Sequence, residues 1–280
     1  MFLDKCSINW EDFVLDPFEQ AKADCLAITS AMKVATKPYL AGIYGSFPGG
    51  QHGNLIGSGV FIRFEGEVYV LTAGHNLTER DVRLPSGEKK YEALAVYAGN
   101  GESPQVPTGK LAVWKQPFDL GLAHVELPEG SSAIDVTQAV TLGGSKSYEK
   151  DVLFAHGLPG TRSAPYFGVH SKTMPHAAAH RPSKYDWYDP EIHVSIEFSP
   201  KDLFDETGAI ADFEKPNGMS GCPIWRSGRS KKDSIDSWSP EDSWIIGIIH
   251  NWDDKAQCLL GTRVEHVQEF IRQAVATLKN

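Results

Sequence analysis

Hydrophobic and polar positions change their period along the chain. Phe18, Ala21, Cys25, Ile28 and Met32 recur at spacings of three and four, which gathers them on one face of a helix. Asp16-Pro17-Phe18-Glu19 is a matching start: aspartate at the N-cap, proline at the first helical position, glutamate three residues after the cap. From Pro38 to about Glu126 the period shortens to β-type runs. Tyr39-Leu40-Ala41-Gly42-Ile43-Tyr44 opens the series, and Gly57-Ser58-Gly59-Val60-Phe61-Ile62 and Val68-Tyr69-Val70-Leu71-Thr72 continue it. Residues 127–150 hold Pro, Gly and Ser with little periodicity, as a connection between two units would. Asp151-Val152-Leu153-Phe154-Ala155-His156-Gly157 reopens the strand pattern, and Trp244-Ile245-Ile246-Gly247-Ile248-Ile249 is a buried-strand candidate.

These patterns predict an all-β body with an added helix. Residues 1–37 form an N-terminal extension carrying the amphipathic helix, and residues 38–280 form the body, with an N-lobe over about 38–130 and a C-lobe over about 150–280. The helix has two readings, packing against the outside of the β-structure or docking a partner. No internal repeat is evident.

Composition narrows the classes. The chain has 280 residues, 41% hydrophobic and 22% charged, enough for one large all-β unit or two small lobes. Its formal charge of −9 argues against general nucleic-acid binding, which needs a basic face. No stretch approaches the length of a membrane span, and Met1-Phe2-Leu3-Asp4-Lys5-Cys6 lacks a basic start followed by an apolar stretch. The expectation is a cytoplasmic protein with no membrane and no nucleic-acid partner.

Three short patterns carry chemistry. Leu71-Thr72-Ala73-Gly74-His75 comes first, Phe118-Asp119-Leu120-Gly121-Leu122-Ala123 second and Gly218-Met219-Ser220-Gly221-Cys222-Pro223 third. Alone, each has a bland reading: a structural histidine after a strand, an aspartate starting a turn, a glycine-rich loop. Together they put a base, an acid and a nucleophile in the order His, Asp, Ser. A serine hydroxyl is a poor nucleophile near neutral pH and needs such a base within hydrogen-bond reach.

The ordered set resembles the trypsin/chymotrypsin-like serine peptidases, whose triad runs in the same order. The resemblance implies two six-stranded antiparallel β-barrel lobes, with Gly261–Ile271 supplying the closing strand and the start of a C-terminal helix. It implies that His75 takes the Ser220 proton, that Asp119 fixes the imidazole, and that the Gly218 and Ser220 amides form the oxyanion hole. No metal or other cofactor is called for. The residue six before the serine, Glu214, would lie at the bottom of the specificity pocket and favour Arg or Lys, with Lys215 as a competing partner. His250, Asn251 and Trp252 would run along the substrate and pair with its backbone. His250 stands where relatives have a serine touching the triad aspartate.

Several positions depart from that family. Asn76 and Pro216 stand where relatives carry disulfide cysteines, so Cys6, Cys25, Cys222 and Cys258 are expected as buried or free thiols. Met219 replaces an aspartate that in secreted relatives pairs with a freshly cut amino terminus. No Ile-Val-Gly-Gly-like activation sequence precedes the first strand, so activation by amino-terminal cleavage is not expected. His170, His176 and His180 could bind zinc by spacing, but they have no cysteine or carboxylate at ligand spacing. An exposed loop is therefore favoured over Thr161 to Pro190. His124, which continues the strand after Asp119, reads as structural.

The expected function is a cytoplasmic, bacterial-type serine endopeptidase acting on a protein or peptide substrate through an acyl-enzyme. Control would come from a regulatory partner, through the N-terminal extension, or from loop rearrangement. The alternative is a peptidase fold that captures an extended peptide without cutting it. A third reading is an esterase with the same triad, although the strand–turn–helix elbow of α/β-hydrolases is absent around Ser220.

Overall fold

The computed structural model describes residues 17–46, 54–78, 91, 93–98, 110–136, 151–159, 173–199 and 215–279. Helix α1 (Pro17–Thr36) begins at the proline. Its buried face is Ile28, Met32 and Thr36, spaced by four; Cys25 is half-buried and Ala21 exposed. Asp16 and the Phe18 side chain lie outside the described residues. The helix docks on the second lobe. Thr36 Oγ1 donates to Met32 O and therefore accepts from His156 Nδ1, both at 2.7 Å, while Arg229 reaches Asp24 at 2.9 Å. Burying Ile28 and Met32 is worth about 1.5–3 kcal/mol each, enough to make α1 part of the body rather than a loose arm.

A 3-10 turn over Lys37–Tyr39 leads into the first sheet. Its strands are β1 (Leu40–Ser46), β2 (Leu55–Phe64), β3 (Glu67–Ala73), β4 (Ala93–Ala98), β5 (Leu111–Trp114) and β6 (Leu120–His124). They lie in the antiparallel order β4-β1-β2-β3-β6-β5, and a short β7 (Ile134–Asp135) adds a seventh strand, parallel to β2. That strand falls in the stretch whose sequence shows little periodicity; residues 137–150 lie outside the described residues.

The second lobe holds β8 (Leu153–Gly157), β9 (Met174–Ala178), β10 (His193–Glu197), β11 (Pro223–Arg226), β12 (Trp244–Asp253) and β13 (Cys258–Arg263), in the order β10-β13-β12-β11-β8-β9. The ends of this path meet. Glu197 N–H donates to Ala179 O at 2.9 Å and Ser195 Oγ to Arg181 O at 2.6 Å, so the sheet closes on itself. Over residues 174–181 this closure replaces the exposed loop expected for Thr161 to Pro190; residues 160–172 lie outside the described residues, and residues 182–190 run as irregular chain with many exposed positions. His176 Nε2 bonds Glu197 O at 2.6 Å and His180 Nδ1 bonds Ser195 O at 2.8 Å, so both rings satisfy a strand edge. His170 lies outside the described residues, among which no metal-binding cluster occurs.

Successive residues of the central strands face two different cores. Phe61, Val68, Val70 and Ala123 fill the core of the first lobe. Val60, Ile62, Tyr69, Leu71, Leu120 and Leu122 fill a core shared with Phe154, Trp225, Ile245 and Ile248 of the second lobe. Burial on both faces explains why these strands read as continuous apolar runs instead of alternating ones. Helix α3 (Val264–Lys279) seals the shared core with Val267, Phe270, Ile271, Ala274, Val275 and Leu278, a stripe of threes and fours. Cys25, Cys222 and Cys258 are free thiols, and burial raises the pKa of each. Cys6 lies outside the described residues. Among the described residues no helix is long and apolar enough to cross a membrane.

Burial also holds two imidazoles neutral, pushing the pKa of His156 down to about 3 and that of His176 to about 4. Both lie below the ordinary imidazole value of about 6.5, so under that pH the unfolded chain binds more protons than the folded one. Their contribution to stability is complete above pH ~6.5 and is lost as pH falls toward the folded values. Urea titrations from pH 7 to 4.5 are expected to show stability falling by up to about 1.4 kcal/mol per pH unit for each histidine. A flat profile would contradict the assignment.

Candidate active site

The first lobe positions an imidazole and a carboxylate. Strand β3 ends at Ala73, and the short helix α2 (Gly74–Thr78) begins at once, presenting His75 at the mouth of the barrel. A Cβ on Gly74 would lie 2.9 Å from both Asp119 Oδ1 and Trp114 O, so only glycine lets α2 start this close to Asp119. Asp119 takes a left-handed conformation, φ 47°, which aspartate tolerates better than most residues. Its carboxylate grips His75 twice: Oδ2 lies 2.7 Å from Nδ1, and Oδ1 accepts the His75 backbone N–H at 2.9 Å. With Nδ1–H committed to the carboxylate, Nε2 is left as the acceptor nitrogen of the neutral ring. Burial pushes the Asp119 pKa up, but the hydrogen bonds from the His75 ring and backbone N–H outweigh it and hold the carboxyl below its ordinary value. Asp119 is therefore an anion.

The second lobe secures the same turn from behind. Thr262 Oγ1 donates to Phe118 O. His193 Nδ1 accepts from Asp189 N–H at 3.1 Å, which leaves Nε2–H to donate to Pro117 O at 3.1 Å.

Ser220 sits between two tight turns. Met219 N–H donates to Pro216 O at 3.1 Å, and Gly218 at φ 92° supplies the positive angle a type II turn needs at its third residue. Cys222 N–H then donates to Met219 O at 3.1 Å, and Gly221 adopts φ 95°. The first lobe pins the result: Ser220 O accepts Ser58 N–H at 2.7 Å and Asn76 Nδ2 at 2.9 Å. Among the described residues the N–H groups of Gly218 and Ser220 donate to no protein acceptor.

His75, Asp119, Gly218, Ser220, His250, Asn251 and Trp252 line one cleft of about 940 Å³ between the lobes. Glu214 lies outside the described residues. Among the described residues no hydrogen bond joins Ser220 Oγ to His75; the two share the cleft without touching through a formed bond. His250 is wall more than open surface, at 4% exposure, and neither of its ring nitrogens has a partner among the described residues. Burial pushes its pKa down to about 3, against the pull of Asp119 and with His193 and His75 acting in the same direction as burial. It stands beside the carboxylate as a neutral ring. Trp252 already spends its backbone, with N–H on Asn251 Oδ1 at 2.8 Å and C=O accepting from Tyr185 Oη at 2.9 Å.

Two residues of the site escaped sequence reasoning. Asn76 was legible only as a missing cysteine, yet its amide joins Thr72 Oγ1 and Ser220 O, each at 2.9 Å. A Cβ on Gly57 would fall 2.3 Å from that amide nitrogen, so the carboxamide fills the space opposite Gly57. Ser58 was legible only as part of a glycine-bounded strand, and nothing in its spacing marked a bond to a residue 160 positions away.

No protein-family model matches the sequence, and no curated protein matches it. Solved structures do. Rv3671c of M. tuberculosis H37Rv, in its inactive form, aligns with a TM-score of 0.50 at 14% identity over 94% of this chain and 95% of its own. A serine endoprotease of Yersinia pestis aligns at 0.52 and 13% identity, over 89% of this chain and 66% of its own. The thermostable serine protease AL20, from an extremophilic microorganism, aligns at 0.50 and 15% identity over 87% and 99%. The chain therefore has the two-lobed fold of the trypsin/chymotrypsin-like serine proteases. At these identities the likeness is one of fold.

The Ser220 turn tolerates no side chain at Gly221. A Cβ there would meet Ser58 O at 1.9 Å and Thr72 Oγ1 at 2.2 Å, and its φ is hostile to L residues. Gly221→Ala is expected to cost at least about 2–4 kcal/mol, read as a lower urea midpoint. A midpoint equal to wild type would contradict this geometry.

Proposed function

We propose that this chain is a serine endopeptidase with His75, Asp119 and Ser220 as its triad. The observation that carries the reading is the double grip of Asp119 on His75, in the cleft that also holds Ser220, on a serine-protease fold. Ser220 Oγ attacks the peptide carbonyl while its proton passes to His75 Nε2. The developing oxyanion is met by the Gly218 and Ser220 N–H groups. His75 then gives the proton to the leaving amine, and water reverses the sequence to release the acyl group. Asp119 stays ionised throughout and stabilises the imidazolium. The chemistry needs no metal or cofactor.

The substrate is an extended protein segment laid along His250, Asn251 and Trp252. A strand pairing with Trp252 N–H must first displace the Asn251 carboxamide, a modest cost of about 1 kcal/mol. By the family resemblance, Glu214 would direct cleavage after Arg or Lys. A cytoplasmic setting and control by a protein partner acting through α1 belong to the same proposal.

A capture module that never cuts is the second reading, favoured by the absent Ser220–His75 hydrogen bond. Fluorophosphonate labelling with intact-mass analysis separates the two. One adduct on wild type, and none on Ser220→Ala or His75→Ala, is expected. Asp119→Asn should retain the fold and lose kcat by about 10,000-fold. Folded wild type that takes no adduct would remove the peptidase reading in favour of capture.

A further inference from the structure

The turn that presents Ser220 is held by two side chains from the other lobe, Asn76 on the Ser220 carbonyl and Ser58 on the Gly218 carbonyl. Ser58 is fully buried on β2, and its hydroxyl donates to Gly218 O at 2.7 Å. The direction of that bond is fixed. Leu158 N–H occupies the same oxygen at 2.8 Å and can only donate, so the single hydroxyl proton must go to Gly218. The backbone of Ser58 is engaged as well, its N–H on Ser220 O at 2.7 Å and its C=O accepting Thr72 Oγ1 at 2.6 Å.

The consequence is seen peptide by peptide. The Gly218–Met219 unit is pinned at both ends, by Ser58 Oγ on its carbonyl and Pro216 O on its N–H. The Met219–Ser220 unit is pinned through Met219 O by Cys222 N–H, and the Ser220–Gly221 unit through Ser220 O by Ser58 and Asn76. The N–H groups left over are those of Gly218 and Ser220. Met219 adds an apolar hold, buried against Gly157, where a Cβ would meet its sulfur at 2.6 Å.

We propose that Ser58 is a positioning residue: its hydroxyl orients the Gly218–Met219 peptide so that the Gly218 and Ser220 N–H groups converge on the oxyanion. The inference rests on the peptidase reading and extends it. Met219 offers no charge with which to anchor the turn, and a neutral hydroxyl reaching across the lobes does that work without an amino-terminal ion pair.

The test compares Ser58→Ala and Ser58→Thr with wild type. Loss of one oxyanion donor elsewhere costs roughly 100- to 1,000-fold in kcat; misorienting one is expected to cost Ser58→Ala about 10- to 100-fold, with KM within about twofold. Affinity for a peptide boronate, which places an oxygen in the oxyanion position, should fall in parallel with kcat, and Ser58→Thr, which keeps the hydroxyl, should recover most of both. Unchanged kcat and boronate affinity in Ser58→Ala would overturn the inference. So would a Thr variant indistinguishable from Ala, because packing alone would then explain the loss. Amide hydrogen exchange at Met219, measured in a Ser220→Ala background, gives a readout independent of turnover. Ser58→Ala should speed it; unchanged exchange would overturn the inference. Faster exchange in a protein whose wild type takes no fluorophosphonate would keep the hydroxyl's structural role and remove the peptidase reading.

Discussion

The site depends on a seam of hydrogen bonds that fastens the Ser220 carbonyl of one lobe to Ser58 and Asn76 of the other. His75 and Asp119 belong to the first lobe and Ser220 to the second, so no single lobe holds the set. The apolar core shared by β2, β3, β6, β11 and β12 supplies the adhesion, since burying each large side chain is worth about 1.5–3 kcal/mol. A net hydrogen bond is worth about 1 kcal/mol, so the seam contributes less adhesion than register. A glycine marks where the lobes come closest: the space beside Gly221 is taken by Ser58 and Thr72 of the first lobe.

In the proposed mechanism, electrostatics within the cleft favours Ser220 over Cys222 as the nucleophile. Cys222 lies two residues from Ser220 and would be the stronger nucleophile as a thiolate, but it is fully buried and burial raises its pKa. Asp119 stays charged because His75 compensates its burial. His250 stays neutral because burial outweighs the attraction of that same carboxylate. The cleft therefore holds a carboxylate and a neutral imidazole wall side by side.

Much of this was legible in the sequence, for identifiable reasons. The strands around Val60–Ile62 and Val68–Leu71 read as apolar runs because both faces are buried, and the spacing from Phe18 to Met32 gave the helix. The order His75, Asp119, Ser220 was visible because each sits in a local pattern of glycine and apolar neighbours. Long-range partners left no such trace. The bonds of Ser58 to Gly218 and of Asn76 to Ser220 join residues more than 140 positions apart, and only the folded topology brings them together. His176 and His180 were read as an exposed stretch because their polar surroundings conceal a barrel closure. The burial of His250 was hidden for a related reason: its cover, including His193 and Trp187, arrives from a distant loop and strand.

Peptide cleavage requires the two lobes to present one reactive centre. The most direct test is a crystal structure of the protein soaked with a peptide boronate. The expected result is a covalent bond from Ser220 Oγ to boron, with one boronate oxygen within hydrogen-bond distance of both the Gly218 and Ser220 N–H groups and His75 Nε2 facing the adduct. A peptide bound in the cleft with Ser220 unmodified, or an adduct whose oxygen faces away from those two amides, would contradict it.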